Sequence, residues 1–283
     1  MSAIKPFFSI VIPSLNEEKY LPQLLNDLAK QSFTNFEVIH VDGSSDDKTV
    51  EVAQQFSSAF SVKSFVVKIR NVAYQRNFGG KKAKSEWIIF MDADNRIKKD
   101  FLTEIFQQLE QLPDTEAFSC FLDIASRNIL QKKLVELMNT GMEMSCKIKP
   151  LTLGSLIGAR REVLTKVQFQ ENLKMSEDCQ FVSDIIASNY KFQFLRKPRY
   201  AASMRRFEKD GSLKFIWEHT WSFVVYLSGH RLTKLLPEYE MGGGHYQKKK
   251  GKIKVFFPRV QLTIKKASQK QLDQLLSLLS LKN

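Results

Sequence analysis

The chain has 283 residues, 43% hydrophobic and 26% charged, which excludes wholesale disorder, a collagen-like repeat and a coiled-coil rod. Its net charge of +13 is unevenly placed: residues 1–191 hold 24 Lys+Arg against 24 Asp+Glu, and residues 192–283 hold 19 against 6. The excess therefore sits in the last third, where it marks either an anionic partner or a solvated basic tail.

The opening MSAIKPFFSIVIP lacks the basic head and small-residue cleavage site of a signal peptide, and a buried first strand over Phe7–Ser14 accounts for its apolar run. A helix follows over Glu17–Gln31, with Tyr20, Leu21, Leu24, Leu25 and Leu28 on one stripe and Pro22 in the first turn. Phe36–Asp42, Val62–Ile69 and Glu86–Asp94 are short and nearly continuous in apolarity, as strands buried on both faces are. Helices over Thr49–Phe56 and Val72–Lys84 separate them. Further strands are predicted over Ala117–Ile124 and Tyr190–Leu195, and helices over Ile129–Met144 and Glu177–Ser188. Alternation of this kind predicts an α/β, doubly wound, mostly parallel sheet flanked by helices, with ligands beyond the carboxyl ends of its strands. His40 lies inside a strand-like run and is expected to be packed or at a strand edge. The three cysteines, Cys120, Cys146 and Cys179, contain no CxxC pair and fit a reducing, cytoplasmic setting.

The last third reads differently. Phe215–Leu227 is interrupted by Glu218 and His219 and is too short to cross a bilayer. The surrounding Leu213–Leu236 is aromatic with Lys214, Arg231 and Lys234 at its margins, the pattern of an interfacial helix, an acceptor-lipid groove or an ordinary core or dimer helix. Met241-Gly-Gly-Gly-His245 predicts a hinge before the basic run Lys248–Lys254 and an amphipathic helix over Ser268–Leu281. His230 lies in the aromatic segment, and His245 is placed to swing in as a metal ligand or to be a plain loop residue. The division is thus residues 1–211 as one domain and 212–283 as a basic, aromatic-rich extension.

Three acidic clusters fall at predicted strand ends: Pro13-Ser-Leu-Asn16-Glu17-Glu18, Asp42-Gly-Ser-Ser45-Asp46-Asp47 and Asp92-Ala-Asp94. Alternation along a strand places Asp92 and Asp94 on one face, ~7 Å apart, which suits a hard divalent cation such as Mn2+ or Mg2+. Helix caps and turns produce the same triplet.

PSLNEEKYLPQLL, FEVIHVDGSSDDKTVEVA, RNFGGKKAKSEWIIFMDAD and MSEDCQF, in this order, resemble the successive motifs of the family-two glycosyltransferases, inverting nucleotide-sugar enzymes of GT-A fold. The resemblance covers about residues 7–206 and implies roles position by position. Pro13, Asn16 and Glu17 match the motif lining the nucleoside pocket, and Asp42 the acid that contacts base or ribose. Asp94 matches the metal-coordinating end of the DxD motif, with Asp92 beside the ribose or diphosphate. Arg76 and Asn77 match an arginine-asparagine pair close to the donor, and Asp178 the general base that deprotonates the acceptor hydroxyl. Ser44 and Ser85 stand where the family usually has glycine. Met204-Arg205-Arg206-Phe207 departs from the motif of the polymerising members, which disfavours a processive synthase.

The chemistry asks for such groups independently. Glycosyl transfer needs a base near the incoming hydroxyl and positive charge on the departing diphosphate. Arg205 and Arg206 are candidates to close over that diphosphate, with a surface ion pair as the alternative. Single inversion needs no covalent intermediate, so Cys179 is expected to be packing. The function expected is transfer of a sugar from a nucleotide diphosphate, UDP being the family's commonest, to a hydroxyl acceptor on a lipid-linked or cell-envelope glycan. Its expected setting is the cytoplasmic face of an anionic membrane, with homo-oligomerisation left open. A sugar nucleotidyltransferase would need a Gly-rich phosphate loop and lysine that PSLNEE lacks. Nucleic-acid binding through Lys248–Lys254 with Tyr246, Phe256 and Phe257 leaves the strand-end acids unexplained.

Overall fold

The computed structural model describes residues 5–124, 129–173, 175–202 and Tyr226. Seven strands form one sheet: β1 (Phe8–Ser14), β2 (Phe36–Asp42), β3 (Ser61–Val66), β4 (Trp87–Met91), β5 (Ala117–Leu122), β6 (Leu156–Arg160) and β7 (Phe192–Tyr200). Their spatial order is β3-β2-β1-β4-β6-β5-β7. β1 runs parallel to β2 and β4, β2 to β3, and β5 to β7, while β6 runs antiparallel to both of its neighbours. Seven helices connect them: α1 (Leu21–Ala29), α2 (Thr49–Gln54), α3 (Val72–Lys82), α4 (Phe101–Gln111), α5 (Ile129–Ser145), α6 (Arg161–Lys166) and α7 (Glu177–Ala187). Among the described residues no helix is long and apolar enough to cross a membrane.

Strand side chains alternate between two cores. Ile10, Ile12, Ile89 and Met91 join one cluster with Leu21, Leu24, Leu25 and Leu28 of α1 and Phe101, Leu102, Ile105 and Leu109 of α4. Val11, Ile39, Val41, Ile88 and Phe90 join the other with Ala73 of α3, Val163 of α6 and Phe181, Val182 and Ile185 of α7. Burying each large apolar side chain contributes about 1.5–3 kcal/mol, so both faces of the sheet must be covered. The helix α3 approaches the sheet most closely at Gly79, where a Cβ would lie 2.3 Å from Val11 Cγ1.

Several boundaries differ from the sequence expectation. The fourth strand stops at Met91, so Asp92 and Asp94 occupy a turn rather than alternating along a strand. Arg96 pairs with Ala201 just beyond, which closes that turn against the strand β7. β3 is shorter than predicted and half-exposed, because it is the sheet edge. The first helix starts at Leu21, with Glu17 in the preceding turn. α4, β6 and α6 were not predicted, and β7 extends five residues past Leu195. His40 lies inside the sheet and is fully buried. Arg205, Arg206, His219, His230, His245, the basic run and the predicted 268–281 helix lie outside the described residues, as does the 212–283 extension apart from Tyr226.

Candidate active site

The carboxyl ends of β1 and β2 are tied together by the loops that follow them. Ser14 pairs with Asp42 across the two strands, and its hydroxyl donates to Asp42 Oδ1 at 3.1 Å. Asp42 is fully buried and also accepts from the Ser45 hydroxyl at 2.5 Å and the Ser45 N–H at 2.7 Å. The Asn16 N–H donates to Ser45 Oγ, and Asn16 Oδ1 accepts from the Asp46 N–H, both at 2.8 Å. The Glu17 N–H donates to Thr49 Oγ1 at 2.8 Å. Asn16 and Ser44 hold left-handed backbone, φ 57° and 60°, which explains the family's glycine at position 44. Here the Ser44 hydroxyl offsets part of that strain by donating to the Val67 carbonyl at 2.9 Å. Pro13 is buried in β1 opposite Val41 and offers no polar side-chain group.

His40 backs this cluster. Its Nε2 lies 2.7 Å from Ser14 Oγ and its Nδ1 3.2 Å from Ser64 Oγ. Burial pushes its pKa down to about 4 against the pull of Asp42, so the ring is neutral near pH 7. With the Ser14 hydroxyl donating to Asp42, Nε2 carries the ring proton and donates to Ser14 Oγ.

Two neighbouring residues of α3 join this cluster to the second one. Gln75 is buried, and its Nε2 donates to the Ser14 and Val41 carbonyls at 2.7 and 3.0 Å. Arg76, 3% exposed, donates through Nη2 to Asp92 Oδ1 and the Gly154 carbonyl, both at 2.9 Å, and through Nη1 to Glu177 Oε1 at 3.0 Å. Its guanidinium also sits over the Phe169 ring. The turn carrying Asp92 and Asp94 is thereby pinned to the start of α7. Asn77 faces elsewhere: its amide donates to the Phe169 carbonyl and Glu171 Oε1 and accepts from the Phe169 N–H, anchoring the loop before α7.

Asp178 opens α7 behind Ser176, whose φ of 62° kinks the chain into the helix. Its carboxyl packs on Gly154, where any Cβ would lie 2.4 Å from Asp178 Cβ. Burial and the adjacent Glu177 charge raise its pKa to about 7, although two backbone N–H groups and Arg76 oppose them. The Cys179 thiol is raised well above its usual range, first by burial, and bonds Thr152, so it packs as expected and is no thiolate.

Among the described residues no group of three or more His, Cys, Asp or Glu is arranged to hold a metal ion. Asp94 is half-buried on the turn after β4, next to Asn95, whose Nδ2 bonds the Ser155 carbonyl at 2.5 Å. Asn95 Oδ1 and Arg76 Nε are the buried side-chain atoms without a partner among the described residues, and both adjoin this turn. Gln75, Glu177, Gly154 and the Ser14–His40 pair carried no role in the sequence reading. Gln75 and Glu177 flank motif residues, whereas Gly154 had no signal at all.

Residues 9–166, more than half of the chain, match the model of Glycosyl transferase family 2. The chain belongs to this family. It is 28% identical over 217 residues to the poly(ribitol-phosphate) beta-N-acetylglucosaminyltransferase TarS of Staphylococcus aureus, covering 70% of this chain and 36% of TarS. The chain thus spans about a third of that relative. TarS residues 1–349 in complex with UDP-GlcNAc superpose with a TM-score of 0.56 at 25% identity, over 69% of this chain and 58% of that one. A mannosyltransferase of Pyrobaculum calidifontis, solved with GDP-Man and Mn2+, shares the fold with a TM-score of 0.59 at 19% identity, over 71% and 58%. The fold of this family-two glycosyltransferase is GT-A, as the resemblance implied.

Proposed function

We propose that the protein transfers a sugar, with inversion, from UDP to a hydroxyl acceptor on a lipid-linked or cell-envelope glycan, one residue per encounter. The observation that carries this reading is Arg76, which joins the Asp92 turn to Glu177 beside a half-buried carboxyl whose pKa is about 7. A base poised near neutrality suits removal of a hydroxyl proton. In the step, the acceptor oxygen bonds the anomeric carbon as the bond from that carbon to the diphosphate oxygen breaks. The hydroxyl proton passes to Asp178, and nucleoside diphosphate leaves with the bonding electron pair.

Pro13, Asn16, Glu17 and Asp42 form the nucleoside side of the proposed site. Asp92 and Arg76 organise the diphosphate side, where Arg205 and Arg206 supply further cations, while Asn77 holds the Phe169 loop behind it. Oxygen donors at Asp94 and Asn95, the latter with an orphaned Oδ1, fit Mg2+ or Mn2+. Such an ion, when bound, neutralises charge on the diphosphate. TarS acts on poly(ribitol-phosphate) by its name and was solved with UDP-GlcNAc, which supports UDP and a hydroxyl-bearing polymer as acceptor here. The basic last third supports work at the cytoplasmic face of an anionic membrane.

Asp178→Asn is expected to bind donor normally in calorimetry while turnover falls by about three orders of magnitude or more. Asp94→Ala is expected to lose metal-dependent donor binding. Full turnover by Asp178→Asn removes the base assignment. Release of pyrophosphate instead of nucleoside diphosphate selects nucleotidyl transfer.

A further inference from the structure

The helix α5 turns an apolar face away from the protein. Val135, Asn139, Met142 and Cys146 face inward, and Asn139 clamps the end of β5 by bonding the Leu122 N–H and carbonyl at 2.8 and 3.0 Å. On the opposite stripe stand Leu137, Gly141 and Met144, continued by Ile148 in the turn that follows α5, and Ile129 at the start of the helix is exposed beside them. Leu137 is 70% exposed, Met144 64%, Ile148 94% and Ile129 71%. An ordinary surface helix carries its polar residues there.

The charges around this stripe decide what fits it. Both acids of α5 that border it are neutralised from β7, Glu136 by Arg199 and Glu143 by Arg196. Lys132, Lys133 and Lys147 remain exposed and form no ion pair among the described residues. Lysines interleaved with protruding aliphatic side chains suit a bilayer interface, where the ammonium groups reach anionic headgroups and the stems and aliphatics enter the acyl boundary. A second copy would set these lysines against their own images, and charge repels that occupant.

The end of α5 leads straight into the site. Residues 149–155 follow it; Thr152 bonds Cys179, Gly154 supports Asp178 and accepts from Arg76, and the Ser155 carbonyl accepts from the Asp92 N–H. We propose that the face formed by Leu137 and Met144 of α5, with Ile129 at its start and Ile148 in the turn after it, rests on an anionic lipid bilayer and presents the base to an acceptor held in that bilayer. The docking itself stands on exposure and charge; the second half rests on the function proposed above.

The test uses the full chain and vesicles of phosphatidylglycerol and phosphatidylcholine. Flotation is expected to carry the protein with anionic vesicles at low ionic strength, less so at high salt, and not with phosphatidylcholine alone. Leu137→Ser combined with Met144→Ser and Ile148→Ser is expected to weaken partitioning by about a hundredfold. Donor hydrolysis in solution should stay unchanged, so a dead enzyme and a failed docking face are told apart. Ile148→Cys bearing a polarity-sensitive dye, in a Cys146→Ser background, is expected to shift to the blue only with anionic vesicles. A triple variant that floats like the parent chain overturns the proposal. So does a blue shift without vesicles, which assigns the face to the chain itself when independent of protein concentration and to a second copy when dependent on it.

Discussion

Asp178 is half-buried in the first turn of α7, and desolvation there is the largest cause of its raised pKa of about 7, followed by the Glu177 charge. Arg76 acts in the opposite direction, as do two backbone N–H groups. A base works as carboxylate, so kcat/KM should rise with pH up to about 7 and level off above it. Arg76→Gln removes the positive charge and should move this acid limb upward by about one pH unit, while Arg76→Lys leaves it near its original place. The measurement is nucleoside diphosphate release against pH, and an Arg76→Gln limb that stays put refutes the coupling. His40 does not supply such a limb: its pKa lies near 4, and it is neutral throughout that range. Removing Arg76 also strands Asp92 and the largely buried Glu177, so Arg76→Gln should unfold more easily by about 3 kcal/mol.

At the scale of elements, α3 has little apolar stripe, yet it holds both halves of the site through Gln75 and Arg76. Its register depends on Gly79 touching Val11. Gly79→Ala should therefore destabilise the fold by about 1–3 kcal/mol, because Val11 is locked between β2 and β4 and has nowhere to go. Unchanged denaturant midpoints would show that α3 slides freely. The strands β1, β2 and β4 were legible because each is a continuous apolar run buried on both faces. β6, with the sequence Leu-Ile-Gly-Ala-Arg, was not: its glycine and alanine carry weak strand propensity, and Gly158 is there because the Phe118 ring fills its Cβ position. α4 has a clear stripe of Phe101, Leu102, Ile105 and Leu109 that the reading passed over. Asp92 and Asp94 were correctly placed at a strand end, but periodicity alone did not reveal that pairing stops at Met91. The Arg76–Glu177 arm of the bridge joins residues 101 apart, and no local pattern encodes such a contact.

For the molecule as a whole, the candidate donor site draws on loops spread from Pro13 to Asp178, set along one edge by strands of both the parallel and the antiparallel halves of the sheet. A ligand that spans those loops binds the folded chain and not the unfolded one, so its affinity appears as stability. At a concentration of ~100 Kd, UDP should add about 2.7 kcal/mol. For a domain of this size that corresponds to a Tm rise of about 5–10 °C. Inorganic pyrophosphate reaches only the Asp92 side and should give a smaller shift at the same concentration. Asp42→Asn keeps the buried volume of the nucleoside side but leaves a neutral amide facing the Ser14 and Ser45 donors, so it should shrink the UDP shift while leaving the pyrophosphate shift intact. Thermal unfolding of the parent chain and Asp42→Asn with each ligand, with and without Mg2+, checks this. Equal shifts for UDP and pyrophosphate in the parent chain would mean that the Asp42 cluster holds the β1 and β2 loops together and meets no nucleoside.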